Sequence, residues 1–167
     1  MTKFLYLLFI LPLFFSCQSE KTISKYPAHV GDIQFDEKVD DANFKKCFVN
    51  PFSFQYYNFD GFQYKGEKLE IEKKLERLNL KSDKNPNGYI TIRFIVNCEG
   101  KPGMFRIQQM NENYKATVFD KTFTNQLLEF TKSLNEWIPK EYLGIKINYY
   151  QYLTFKIKDG KISEILP

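Results

Sequence analysis

The chain has 167 residues, 17% of them aromatic, and a formal net charge of +4. That length fits one ordinary domain plus targeting and linker sequence, and so many rings exclude a disordered chain. Lysines and glutamates are spread over the whole sequence, and a small unclustered positive excess argues against a nucleic-acid partner.

Residues 1–16 stand apart from the rest. Lys3 is followed by an apolar run over 4–15 whose only breaker is Pro12. A run of twelve residues is too short to cross a hydrocarbon layer of roughly 30 Å as a helix, so it reads as an export signal. It ends Phe14-Phe15-Ser16-Cys17. This ending resembles the lipobox of bacterial lipoproteins, whose cysteine is acylated and becomes the mature N-terminus, with Phe14 where leucine is usual. The resemblance implies a lipid on Cys17, a membrane anchor, and an outer-membrane location facing either the periplasm or the surface. The competing reading is an ordinary signal peptide followed by a stray cysteine. Export would leave Cys47 and Cys98 as the remaining thiols in a compartment where disulfides persist. They are either bonded to each other or buried and reduced, and their spacing does not decide between the two.

Residues 17–34 are polar, contain Pro27 and Gly31, and read as a tether. His29, the single histidine, lies here without companions that would make a metal site. Residues 35–63 form an extension. It opens with Asp36, Glu37, Asp40 and Asp41, expected to be solvated, since the regular calcium-loop spacing is missing. Asp41 is placed to cap a short helix carrying Phe44, Cys47 and Phe48 on one face. Phe52, Phe54, Tyr56, Tyr57, Phe59, Phe62 and Tyr64 follow. These rings are expected to pack on the later domain; the other use for such a run is a stacking platform for sugars.

Residues 64–167 carry the regular periodicities. Leu69, Ile71, Leu75 and Leu78 predict an amphipathic helix over 67–80. Ile90, Ile92, Phe94 and Val96 alternate with Thr91, Arg93, Ile95 and Asn97, the pattern of a half-buried strand. Glu99-Gly100 then turns the chain into a second strand over 104–110, giving a hairpin. Phe119, Phe123, Leu127, Phe130 and Leu134 predict a second helix over 120–135, ended near Trp137 and Pro139. A long alternating strand is expected over 145–158, and Asp159-Gly160 returns a short strand over 161–166. This order gives an α+β domain, a small antiparallel sheet with two helices packed on one face.

Run 88–100, GYITIRFIVNCEG, resembles the G-x-V-x-V-x-F-x-V-x-x-x-G opening of the TonB C-terminal domain. Trp137-Ile138-Pro139 resembles that family's W-x-P close, followed by Gly144 and a final strand reaching Phe155. The resemblance spans about 64–158, and the chain is also similar to small envelope lipoproteins that carry such a domain. It implies a sheet whose edge accepts an extended partner segment as an added strand. It does not extend to energy transduction. This chain has a lipoprotein-like signal in place of a transmembrane anchor, no long proline-rich spacer, and extra aromatic residues over 44–64.

No catalytic constellation is legible. There is no glycine-rich phosphate loop, no Gly-x-Ser-x-Gly elbow, and no histidine in the domain to activate Cys98. The expected function is therefore a lipid-anchored module binding a peptide or protein partner, without cofactor or metal. The partner edge is expected on the long strand, at Lys146, Asn148, Tyr150, Tyr152, Thr154 and Lys156. The alternative is an accessory subunit of an outer-membrane assembly, docking through 44–64. The oligomeric state is not legible.

Overall fold

A computed structural model describes residues 31–47 and 54–166. The signal, Cys17, His29 and most of the expected tether lie outside these residues, as do Phe48 and Phe52. The regular elements are β1 (Phe54–Gln55), α1 (Glu67–Glu76), β2 (Gly88–Val96), β3 (Pro102–Asn111), α2 (Lys121–Ser133), β4 (Lys140–Tyr142), β5 (Ile145–Ile147), β6 (Tyr149–Lys158) and β7 (Lys161–Leu166). The fold is α+β, as the periodicities predict.

The hairpin β2–β3 and strand β6 make the centre of the main sheet. β2 pairs antiparallel with β3 on one side and with β6 on the other, over Gly88↔Ile157 to Val96↔Tyr149. The far side of β6 is shared by two short strands: β1 runs parallel along Tyr149 and Tyr150, and β7 runs antiparallel from Thr154 to Lys158. The turn into β7 is made by Asp159 and Gly160, both with positive φ, 50° and 72°. That matches the sequence preference of a two-residue hairpin turn.

One face of the sheet is dry. Ile90, Ile92, Phe94, Val96, Leu153, Phe155 and Ile157 meet Phe123, Leu127, Phe130 and Leu134 of the α2 region and Ile71 and Leu75 of α1. α2 starts where Asp120 accepts the Phe123 N–H, a side-chain cap. Its whole expected stripe is buried. α1 departs from its expectation. It ends at Glu76, and Leu69 and Leu78 are exposed while Ile71 is fully covered. With the helix ending early, Leu78 falls outside it, and the core stripe narrows to Ile71 and Leu75, one turn apart.

The opposite face carries a third layer that the sequence reading assigns to linker. Ile33 is 1% exposed and packs with Phe44 on Ile95, Met104 and Tyr150. Residues 31–34 are thus part of the domain and not of a tether. The segment 41–47 forms turns, without the expected helix: Asp41 caps only a turn, accepting the Asn43 N–H at 2.8 Å. The turns place Phe44 on the sheet beside Tyr150 and bring Cys47 to Cys98.

Most of the described aromatic run packs inward as expected, Tyr57 being exposed. Phe54, Phe59 and Phe62 lie against the main core, and Tyr64 is 1% exposed within it. Tyr64, Phe62 and Phe94 ring Trp137, and residues 63–65 pair with 136–138 through Lys65 N–H to Glu136 and Ile138 N–H to Gln63. Gly100 makes this junction possible. Any side chain there would land on the Trp137 carbonyl, and its φ of 76° is left-handed.

Candidate interaction surfaces

The long strand expected as a partner edge is interior. It breaks at Asn148, so that β5 leaves the main sheet and pairs with β4 in a separate hairpin. β6 then has β2 on one side and β1 with β7 on the other. Of the six residues expected at the edge, only Lys146, on β5, is well exposed. The Asn148 side-chain oxygen accepts the Cys47 N–H, and Tyr150 is buried beneath Ile33 with its hydroxyl on Asp32. The Tyr152 hydroxyl bonds that of Tyr56 at 3.1 Å, Thr154 bonds Thr91 across the strands at 3.0 Å, and Lys156 pairs with Glu164. Alternation shows which face a residue takes, but it does not show which strands flank it. A 10-residue strand therefore looks like an edge until its neighbours are known.

Cys47 and Cys98 are bonded, with Cα atoms 5.9 Å apart. The bridge ties the end of the 31–47 layer to the β2–β3 turn. A second tie is ionic. The Arg106 guanidinium donates to both oxygens of Asp40, at 2.7 Å each, and also to the Gln34 carbonyl. Asp40, expected to be solvated, has a side chain only 1% exposed. Its hydrogen bonds to Arg106 hold the carboxyl below the usual carboxylate range despite burial, and the Asp36 N–H and Lys46 act the same way. Arg93 lies under the same layer, its guanidinium donating to the Gly31 carbonyl and lying 4.4 Å from the Tyr150 ring centroid. Arg93 and Arg106 face each other across β2 and β3 beneath this layer. Sequence reasoning missed it because that pairing, and the reach of 31–47 to it, are set by contacts more than sixty residues apart.

β3 and β7 are the longer strands of the main sheet with a single strand neighbour. β3 has β2 as its one strand neighbour, but its rim is partly occupied: Arg106 folds back onto the Phe105 carbonyl, and residues 115–117 bond along Gln109 and Asn111. β7 is shorter and lies beside a groove of about 400 Å³ between itself and α1. Leu75, Leu80, Ile162 and Ile165 line its floor, and Glu72, Glu76 and Glu164 outnumber Lys161 at its rim. The β7 rim is partly occupied too: Lys68 donates to the Ile165 carbonyl at 2.8 Å, and Lys81 bridges Lys161.

The buried polar groups elsewhere are structural in their geometry. Lys74 bonds both Glu136 and the Tyr64 hydroxyl, fastening α1 to the Trp137 segment. Burial pushes the Tyr149 hydroxyl well above its usual range, and burial with the Tyr56 hydroxyl pushes Tyr152 up to about 12. No group of His, Cys, Asp and Glu among the described residues could hold a metal ion, and no helix among them is long and apolar enough to cross a membrane. No known family matches the chain, and neither a curated protein nor a solved structure does.

Proposed function

We propose that this chain is a lipid-anchored cell-envelope module that holds an extended segment of a peptide or protein partner by strand addition to β7. The observation that carries the reading is a strand with one strand neighbour, β6, beside a groove with Leu75, Leu80, Ile162 and Ile165 in its lining. Added strands draw affinity from main-chain hydrogen bonds and specificity from pockets that take alternate side chains. Here the pocket floor is aliphatic and the rim is acidic. The matching segment alternates aliphatic residues with lysine or arginine. The signal-like run ending at Cys17 and the resemblance of about 64–158 to a strand-accepting domain support the same reading from the sequence.

A photo-crosslinker at Ser163, which is exposed on β7, tests it on the full chain in its native envelope. The expected product joins position 163 to one short segment of one partner. The variant Glu76→Lys with Glu164→Lys reverses two exposed rim charges and should cut the yield about tenfold, by charge repulsion of the basic segment. A crosslinker at Tyr57, 66% exposed, serves as the comparison. A single partner trapped there, with none at 163, overturns the edge reading in favour of an accessory subunit docked through the aromatic segment.

A further inference from the structure

The β4–β5 hairpin pairs with no strand of the main sheet and meets it at its base, where the Tyr142 ring lies 5.2 Å from that of Phe54 and the Lys140 ammonium 5.2 Å from that of Phe59. Residues 141–146 are six exposed positions in a row, and three of them are large and apolar: Tyr142 at 53%, Leu143 at 84% and Ile145 at 48% exposure. Tyr142 and Ile145 are directly paired, so both side chains leave the same face, with Leu143 at the tip between them. Leu143 also has φ of 50°. A γ-branched residue in the left-handed region strains the backbone where asparagine or glycine would not. Burial does not compensate for that strain, since Leu143 is almost fully wet. A strained, exposed aliphatic residue points to a contact outside the chain.

The surroundings of the tip indicate the chemistry of that contact. Lys146 is exposed beside it, Lys140 lies at the base of β4, and Lys45, Lys101 and Lys146 all act on Glu99 at the β2–β3 turn. Glu99 and Glu141 are the acids among them, and Glu99 is paired with Lys101 at 2.7 Å, which leaves Lys45, Lys140 and Lys146 against Glu141 as the positive excess. A convex apolar tip with tyrosine at its side and a lysine skirt has the composition of interfacial membrane elements: rings and aliphatics enter the acyl boundary while lysines meet headgroup phosphates. The described chain also enters the domain at this end. Asp32 pairs with Lys46, next to the Cys47–Cys98 bridge. From Cys17 to Gly31 is 14 residues, a leash reaching at most roughly 48 Å. That last point rests on the lipid-anchored reading; the tip and its charges do not.

We propose that the β4–β5 tip is a membrane-contact element, seating Tyr142, Leu143 and Ile145 in the interfacial layer of a bilayer with anionic headgroups. The test places the full chain on vesicles of phosphatidylethanolamine and phosphatidylglycerol. A Leu143→Trp variant reports depth through quenching by brominated acyl chains, with Trp137, 3% exposed, as the internal control. The expected result is an added emission quenched about twofold or more, and several-fold less effect on phosphatidylcholine. In parallel, Leu143→Asn should raise the melting temperature by relieving the left-handed strain while reducing vesicle contact. A leucine with a purely structural role would give a lower melting temperature instead. Mass measurement of acylation at Cys17 scores the anchor separately. Position 143 open to acrylamide and unquenched by brominated lipid on vesicle-bound protein overturns the proposal and assigns the tip to a protein contact. Failure of an unacylated chain to bind anionic vesicles overturns it as well.

Discussion

Asp40 and Arg106 form the interaction with the most to lose from a single change. The Asp40 side chain is 1% exposed and that of Arg106 15%, and two parallel hydrogen bonds join them. Removing the guanidinium leaves a carboxylate with little water and one backbone donor, the Asp36 N–H at 2.8 Å. Arg106→Leu should therefore cost about 3–5 kcal/mol at neutral pH, the usual penalty for orphaning one member of a desolvated pair. The pH dependence carries a definite sign. In the wild type the Asp40 pKa is lowered on folding, so its contribution is present above the unfolded value of about 3.9 and is lost as pH falls below it. In Arg106→Leu the largest cause of that lowering is gone, so the variant has less stability to lose when Asp40 is protonated. Urea denaturation should thus show a gap between wild type and variant that is level near neutral pH and narrows as pH falls through and below about 4. A gap that stays constant with pH would assign the cost to lost packing of the arginine stem.

Among the elements, the β2–β3 hairpin is the frame on which three separate pieces converge. The Cys98 bridge holds the 31–47 layer to its turn, Gly100 seats the Trp137 segment, and Gly103 lies under the Phe44 ring, where a side chain would collide with it. The bridge closes a loop between residues 51 apart in sequence, for which chain entropy gives a stabilisation of about 4 kcal/mol. Cys98→Ser should lower the unfolding free energy by about 2–4 kcal/mol, and the non-reducing mass of the wild type should show Cys47 and Cys98 without free thiol. A full-sized free-thiol signal from the native wild type would remove the bridge. The hairpin was legible because its period-2 pattern concerns a single strand and its own turn. α2 was legible for the same local reason, its five apolar residues repeating at helical spacing. What escaped was set by partners distant in sequence. The register of β6 against β2, the break at Asn148 and the burial of Asp40 each depend on a contact more than fifty residues away. No local periodicity encodes such contacts.

At the scale of the whole molecule, the domain is a three-layer stack with unequal layers. The helical side shares one large core, from Tyr64 through Phe123 to Ile165. The opposite side is a thin cover in which Ile33 and Phe44 meet Ile95, Met104 and Tyr150. A thin layer held by few apolar contacts opens at lower free energy than the core beneath it. The bridge at Cys47 and the Asp40–Arg106 pair are what join its opening to global unfolding. Ile33→Ala should cost about 2–4 kcal/mol in cover contacts, the usual range for a buried isoleucine truncated to alanine. With the disulfide intact, most of that loss should appear in the global transition. After reduction of Ile33→Ala, hydrogen exchange should resolve a separate event: amides of 31–47 lose protection, Ile95 and Met104 become accessible, and α2 and the centre of β2 keep theirs. The apolar patch thus uncovered would bind a hydrophobic dye without loss of helical circular dichroism. If exchange in 31–47 and in α2 instead accelerates together under reduction, the cover and the core are one cooperative unit. The fold would then stand on both faces of the sheet equally.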